Sequence, residues 1–352
     1  MRIIRITLTM LCLLSLSVAA APFKPASDLT LQLQPLLPLS TRMQQLSAQL
    51  GRHPEDNTRL ELAGLYLQGA RQPGYDDWFH RADELLHAVS QTGSVRYLLL
   101  QADLQQQQHQ FSQAMQSLNK VFAATPHHQQ ASLMAARIYL AQNEQALAQQ
   151  ACNRLWQQDL FLFSVCSYEV AGRRGQWTQS YAALQELWQR QRLTSELDIW
   201  LRGILAEQAE QLQQVSDARQ WLTPILQNAP TSLWLKWADL SLQLNDAQPV
   251  YQQLSHAYQQ HGLSDGLLLR LTLAERQLGA GRVYHALLTE RIELRLARGD
   301  TDHAADLVHY FLRLKHDAKA ALYWAAVNYQ TAKEPDDLRL LTLSEDAVKG
   351  VY

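Results

Sequence analysis

Residues 133–148, LMAARIYLAQNEQALA, decide how this chain reads. Leu133, Ala136, Tyr139 and Leu140 recur at helical spacing, and Gln142-Asn143-Glu144 interrupts them as a turn. Ala148 then stands twelve residues after Ala136 in the next helical stretch. The same arrangement occurs 34 residues earlier with Leu98, Leu99, Ala102 and Ala114, and 34 residues later with Val170 and Ala182. After a slip of two residues the series resumes at Ala206, Leu240 and Ala274, with Ala218 again twelve beyond Ala206. Pro126 and Pro230 each fall 24 residues after the first alanine of their unit, where one helix must stop before the next begins. Arg174-Gly175-Gln176, Gly279-Ala280-Gly281 and Arg298-Gly299-Asp300 supply further turns, and no segment shows sustained strand alternation. A small side chain at a fixed place lets two helices approach closely, so each unit reads as a helical hairpin. A lone hairpin cannot bury its apolar face, and its stability must come from stacking on its neighbours.

Units of this length, with these small residues, resemble tetratricopeptide repeats. The resemblance is carried by Ala136, Tyr139 and Ala148 in one unit, by Ala102, Ala114 and Pro126 in another, and by Ala206, Ala218 and Pro230 in a third. Leu60 to Leu86, with Leu62-Ala63-Gly64-Leu65-Tyr66, resembles a further unit whose longer turn contains Pro73-Gly74. Val170 and Leu240 are larger than the family's small residue, and Trp177 falls where a short turn is expected. The resemblance implies an all-α fold, a right-handed superhelical solenoid of about nine antiparallel helix hairpins, with the first helix of each lining a concave face. The expected organisation is a signal peptide over 1–20, an extended segment over 21–36, the repeat solenoid over 37–335 and a C-terminal capping helix over 336–352. Lys333-Glu334-Pro335-Asp336-Asp337 marks the turn before that last helix.

Of 352 residues, 47% are apolar, enough for a substantial core, whereas only 18% are charged and glutamine is over-used. The formal charge of −2 leaves no basic excess to neutralise phosphates, which argues against a nucleic-acid partner. Arg2 and Arg5 precede an apolar run from Ile6 to Ala20 that ends in small residues before Ala21-Pro22. This pattern predicts a secretory signal peptide cleaved after Ala20 and a periplasmic or secreted protein. No later stretch is apolar for 18 residues, so no membrane span is expected in the mature chain. Cys12 lies inside the leader, leaving Cys152 and Cys166. In the repeat register these face one seam between adjacent units, and an oxidising compartment makes a disulfide the favoured reading over a free thiol pair.

No His-Glu-x-x-His, Gly-x-Ser-x-Gly or phosphate-cradling glycine loop occurs, so the sequence gives catalysis no positive support and implies no cofactor. Asp302, His303, Asp306 and His309 form the closest acid and imidazole cluster, but without a visible fourth ligand they read as a solvated helix face and not as a metal site. The family resemblance places Arg96, Asp103, Arg137, Arg174, Trp200, Glu207, Trp234 and Trp237 at positions that point into the concave groove. Aromatic and arginine side chains there suit a protein or peptide partner in the cell envelope. The expected function is a non-enzymatic scaffold that assists assembly of an envelope complex. The alternative is a glycan- or small-molecule-binding accessory module of an envelope enzyme, with aromatic rings stacked on sugars.

Overall fold

The computed structural model describes residues 38–351, in which every regular element is helical. The expected leader over 1–20 and extended segment over 21–36 lie outside the described residues. Helix α1 (Thr41–Arg52) precedes a series of hairpins, of which the first pairs α2 (Asp56–Ala70) with α3 (Trp78–His87). Then come α4 (Val95–Gln107) with α5 (Phe111–Ala124), α6 (Gln129–Ala141) with α7 (Gln145–Asn153), and α8 (Leu160–Arg173) with α9 (Trp177–Arg190). The second half pairs α10 (Ser195–Gln211) with α11 (Val215–Leu222), which a 3-10 stretch extends over Thr223–Asn228, and α12 (Thr231–Gln243) with α13 (Ala247–His261). It continues with α14 (Asp265–Leu278) and α15 (Val283–Ala297), then α16 (Ala304–Tyr310), prolonged by a π turn over Phe311–Lys315, with α17 (Ala318–Thr331). The last helix, α18 (Pro335–Lys349), follows. Helices α2, α4, α6, α8 and α10 pack one on the next, as do α12, α14, α16 and α18, and together they form an inner layer in which the Lys236–Glu210 pair joins α10 to α12.

Side chains start these helices by satisfying free backbone N–H groups. Ser40, Ser94, Asp159 and Asp317 accept from the backbone N–H of Met43, Tyr97, Leu162 and Ala320. The ends are more regular still. His109, Asn143, Gly175, Gln213, Asn245 and Gly279 all have positive φ, and each stands in the turn between the two helices of a hairpin. The residue after each donates its backbone N–H to a carbonyl five positions back: Gln110 to Gln105, Glu144 to Tyr139, Gln176 to Ala171, Gln214 to Ala209, Asp246 to Ser241 and Ala280 to Glu275. This is the Schellman closure of a helix end.

Those turns correct the repeat register. Their spacings are 34, 32, 38, 32 and 34 residues, so the period is less strict than the alanine series implies. Seven residues before each turn residue stand Ala102, Ala136, Tyr168, Ala206, Ala238 and Thr272, and five after it stand Ala114, Ala148, Ser180, Ala218, Val250 and Tyr284. Val170, Leu240 and Ala274 are buried, but they lie two residues away from the equivalent position. Ser180 makes the close approach in the unit read as Val170 and Ala182, donating its hydroxyl to the Tyr168 carbonyl, while Ala182 is exposed. Trp177 is no turn residue: it opens α9.

Three apolar cores run along the chain, centred on residues 43–104, 98–170 and 165–340, with Tyr97 touching the first two and Trp200 the last two. In the first, Trp78 lies over Gly69, where any Cβ would run into the indole. The second core holds the Cys152–Cys166 disulfide, whose Cα atoms are 5.6 Å apart and which ties α7 to α8. The solenoid also closes on itself. Thr231 donates its N–H and hydroxyl to the Arg71 carbonyl at 2.7 and 3.0 Å, and the Tyr75 and His261 rings meet at 5.6 Å. His109 meets His303 at 5.7 Å, and the Lys333 N–H donates to the Ala141 carbonyl at 2.7 Å. Turns of the first three hairpins thus touch connecting loops of the second half. Replacing both Cys152 and Cys166 by alanine reopens a loop of 14 residues' separation and is expected to lower unfolding free energy by about 3 kcal/mol, measured by urea titration under oxidising conditions.

Candidate functional site

The turn residue fixes which side chains face inward. The residue six positions before it is charged in five consecutive hairpins: Asp103, Arg137, Glu169, Glu207 and Asp239. All five take part in ion pairs. Asp103 pairs with Arg71, Arg137 with Glu169 at 3.4 Å, and Glu207 with Arg173 at 2.8 Å. Asp239 receives Arg270 at 2.8 Å and Arg313 at 3.0 Å. Lys236 reaches Glu210 from α12 to α10 at 2.5 Å.

The first turn of α18 lies across the middle of this face. Glu334 approaches Arg137 at 2.8 Å and Arg173 at 3.6 Å, Asp336 pairs with Lys236, and Arg339 returns a contact to Glu210 at 3.2 Å. Glu334 and Asp337 form a capping box that starts the helix, and Asp337 also accepts from the Asn328 amide at 2.7 Å. Burial would raise the Glu334 and Asp336 carboxyls, but Arg137 and Arg173 for the first, and Lys236 and Arg339 for the second, hold both below their ordinary range. Glu334, foremost, and Glu169 raise the Arg137 guanidinium further into its charged form. Burial raises the Glu169 carboxyl in spite of Arg137, and burial pushes Asp337 up to about 6.

Of the residues expected in the groove, Arg137 and Glu207 lie in this network, and Asp103 lies on the same register nearer the first hairpin. The others are placed differently. Trp237 is buried, donates its indole N–H to the Thr223 hydroxyl at 3.2 Å and packs edge-to-face on Trp234 at 5.9 Å, because Ala238 and not Leu240 holds the close approach in its unit. Trp234 is half-buried against the same core, and Trp200 fills the joint between two cores. Arg174 sits on the hairpin turn, where its guanidinium donates to the Gln145 carbonyl at 3.1 Å. Arg96 is exposed in the first turn of α4. Glu169, Arg173, Glu210, Lys236 and Asp239 were not anticipated, although counting back from Gly175 and Asn245 as turn residues finds Glu169 and Asp239.

Of the Asp302 to His309 stretch, Asp302 and His303 are exposed, as expected of a solvated face, whereas Asp306 and His309 are partly buried. Asp306 receives Arg270 at 2.8 Å, and His303 has positive φ ahead of α16. Among the described residues no group of acids, imidazoles or thiols is gathered to hold a metal, and no helix is long and apolar enough to cross a membrane. Burial, and then Arg270, lower the His309 imidazole to about 4.

A tetratricopeptide-repeat family model matches residues 105–160, from the end of α4 into the start of α8. Residues 105–160 thus carry a tetratricopeptide-repeat segment. Among solved structures, the chain is similar to one in the APC/C hetero-tetramer Cut9–Hcn1, at 13% identity and a TM-score of 0.52, covering 84% of this chain and 57% of that one. A tetratricopeptide repeat protein from Parabacteroides merdae is similar at 14% identity and a TM-score of 0.48, over 66% of this chain and 90% of that one. At these identities the likeness is one of fold. No curated protein matches the sequence. The tetratricopeptide fold is one suited to scaffolds for protein–protein interaction.

Two outcomes test the energetics of this face. Arg270→Ala leaves Asp306 without a cation and Asp239 with Arg313 alone, and is expected to cost about 3 kcal/mol in urea unfolding; a loss under about 1 kcal/mol would contradict the pairing. His309 stays neutral in the fold down to about 4 but takes a proton near 6.5 when unfolded, so acid between those values favours the unfolded chain. His309→Gln is therefore expected to lose less stability than the parent as pH falls from 6.5 to 4.5, and identical slopes would count against it.

Proposed function

We propose that this chain is an exported scaffold that captures protein partners on the inner face of its solenoid and assists assembly of an envelope complex, without chemistry of its own. The observation that carries the reading is the run of charged residues repeated at one inward register, Asp103, Arg137, Glu169, Glu207 and Asp239. Surface charges scattered at random would not recur at one place in five successive hairpins, and an enclosed charged face gives a partner orientation and register. Export is supported by Arg2, Arg5 and the apolar run to Ala20, and by the Cys152–Cys166 bridge, since such bridges persist in oxidising compartments.

The aromatic residues favour this reading over a glycan-binding module. Trp188 and Trp221, Trp234 and Trp237, and Tyr258 and Tyr284 meet edge-to-face within the helix seams, so these rings are engaged with one another and are not laid open for sugars to stack on.

A photo-crosslinking residue placed at Asp103 or Glu207, in cells that make the protein, is expected to yield discrete partner adducts. The same residue at the exposed outer positions Gln116 and Gln179 is expected to yield none of them. Equal adducts from inner and outer positions would overturn the assignment of the inner face.

A further inference from the structure

Residues 332–339 cross the inner layer from α6 to α12, and the way they are held is unusual for a core contact. Each groove cation they touch already has a groove carboxylate: Arg137 has Glu169, Arg173 has Glu207 and Lys236 has Glu210. Glu334 is the nearer partner of Arg137, but Glu334 and Asp336 are additions to carboxylates the groove already holds, so their departure leaves each cation one carboxylate. Arg270 is the contrast, because both of its carboxylates, Asp239 and Asp306, come from the packed helices themselves. Helix α18 packs on α16 and α17 through Leu340, Leu341, Leu343 and Ala347, but its first turn, residues 335–339, has no fully buried residue and Leu338 is exposed. A segment held by ion pairs and not by buried apolar side chains opens at lower cost than the core around it.

From this arrangement we propose that the groove across α6, α8, α10 and α12 is a recognition site for an acidic segment that leads into a helix, and that the chain's own residues 332–339 occupy it as a displaceable stand-in. The inference rests on the inner-face reading above and specifies its partner. The incoming segment places two carboxylates two residues apart, as Glu334 and Asp336 are, one between Arg137 and Arg173 and the other on Lys236. A cation following the second carboxylate by three residues, as Arg339 does, meets Glu210. The free protein is then closed by its own C-terminal helix, and a partner binds by exchange.

The test uses the full chain and a labelled peptide of its own residues 332–345. Glu334→Arg with Asp336→Arg sets like charges against Arg137, Arg173 and Lys236 and releases the stand-in. The released chain is expected to bind the peptide at least tenfold more tightly than the parent, with binding weakened by salt. Adding Arg137→Ala and Lys236→Ala is expected to abolish it. A released chain of unchanged helical content that binds no better than the parent overturns the proposal. Should that variant fail to fold, hydrogen exchange on the parent decides: α18 amides are expected to exchange at least tenfold faster in 1 M salt while α8 and α10 do not, and salt-independent protection equal to α10 overturns it. Inner crosslinks without peptide binding would leave the scaffold reading standing and remove the exchange; peptide binding without inner crosslinks would do the reverse.

Discussion

The left-handed residue that closes six successive hairpins, α4–α5 to α14–α15, is the constraint from which the remaining arrangement follows. A helix that ends in that conformation and bonds back to a carbonyl of its last turn gives the chain one direction of exit, so the second helix returns along the same side each time. Ala102 and Ala114, Ala136 and Ala148, or Ala206 and Ala218 then meet where the two axes come closest. One residue beyond the first of each pair lies about 100° further round the helix, on the side facing the next inner helix. That is the place of Asp103, Arg137, Glu169, Glu207 and Asp239. Turn, close approach and inner charge form one geometric unit, repeated.

The solenoid is legible in the sequence wherever the small residues are alanine. It misleads where they are not. Val170, Leu240 and Ala274 are as deeply buried as true register residues, because both sites two residues apart fall on the buried half of a helix, and apolar character alone cannot separate them. Tyr168 and Ser180 hold the real crossing in that unit, and Ser180 does so through a hydroxyl that finds a carbonyl. Glycine and asparagine at 175, 143, 245 and 279 announce a left-handed turn, but His109 and Gln213 adopt the same conformation with no compositional signal. The candidate groove inherits this pattern. Asp103, Arg137 and Glu207 come from units read in register, whereas Trp234 and Trp237 come from one read two residues out and belong to the seam.

What no local pattern could supply is the meeting of Glu334 with Arg137 or of Thr231 with Arg71. Residues so far apart in sequence are brought together by the accumulated rotation of several hairpins, and a departure of two or four residues in one repeat changes where the spiral returns. The unequal turn spacings therefore matter as much as the mean period. They bring the loop before α18 to the end of α6 and the turn after α2 to the loop before α12.

Charge is sparse in this chain, and much of it is spent on the axis. A polar surface rich in glutamine needs no ionic partners, since amides satisfy themselves with water and carry no desolvated charge. The inner face does need them, because burial there raises the cost of any unpaired group. Its middle section offers each cation one carboxylate from the groove before the C-terminal segment is counted. On the proposed exchange, each cation keeps a partner whether the segment lies on the face or another takes its place. That provision separates Arg137, Arg173 and Lys236 from Arg270, whose two carboxylates both belong to the packed helices and which the C-terminal segment does not touch.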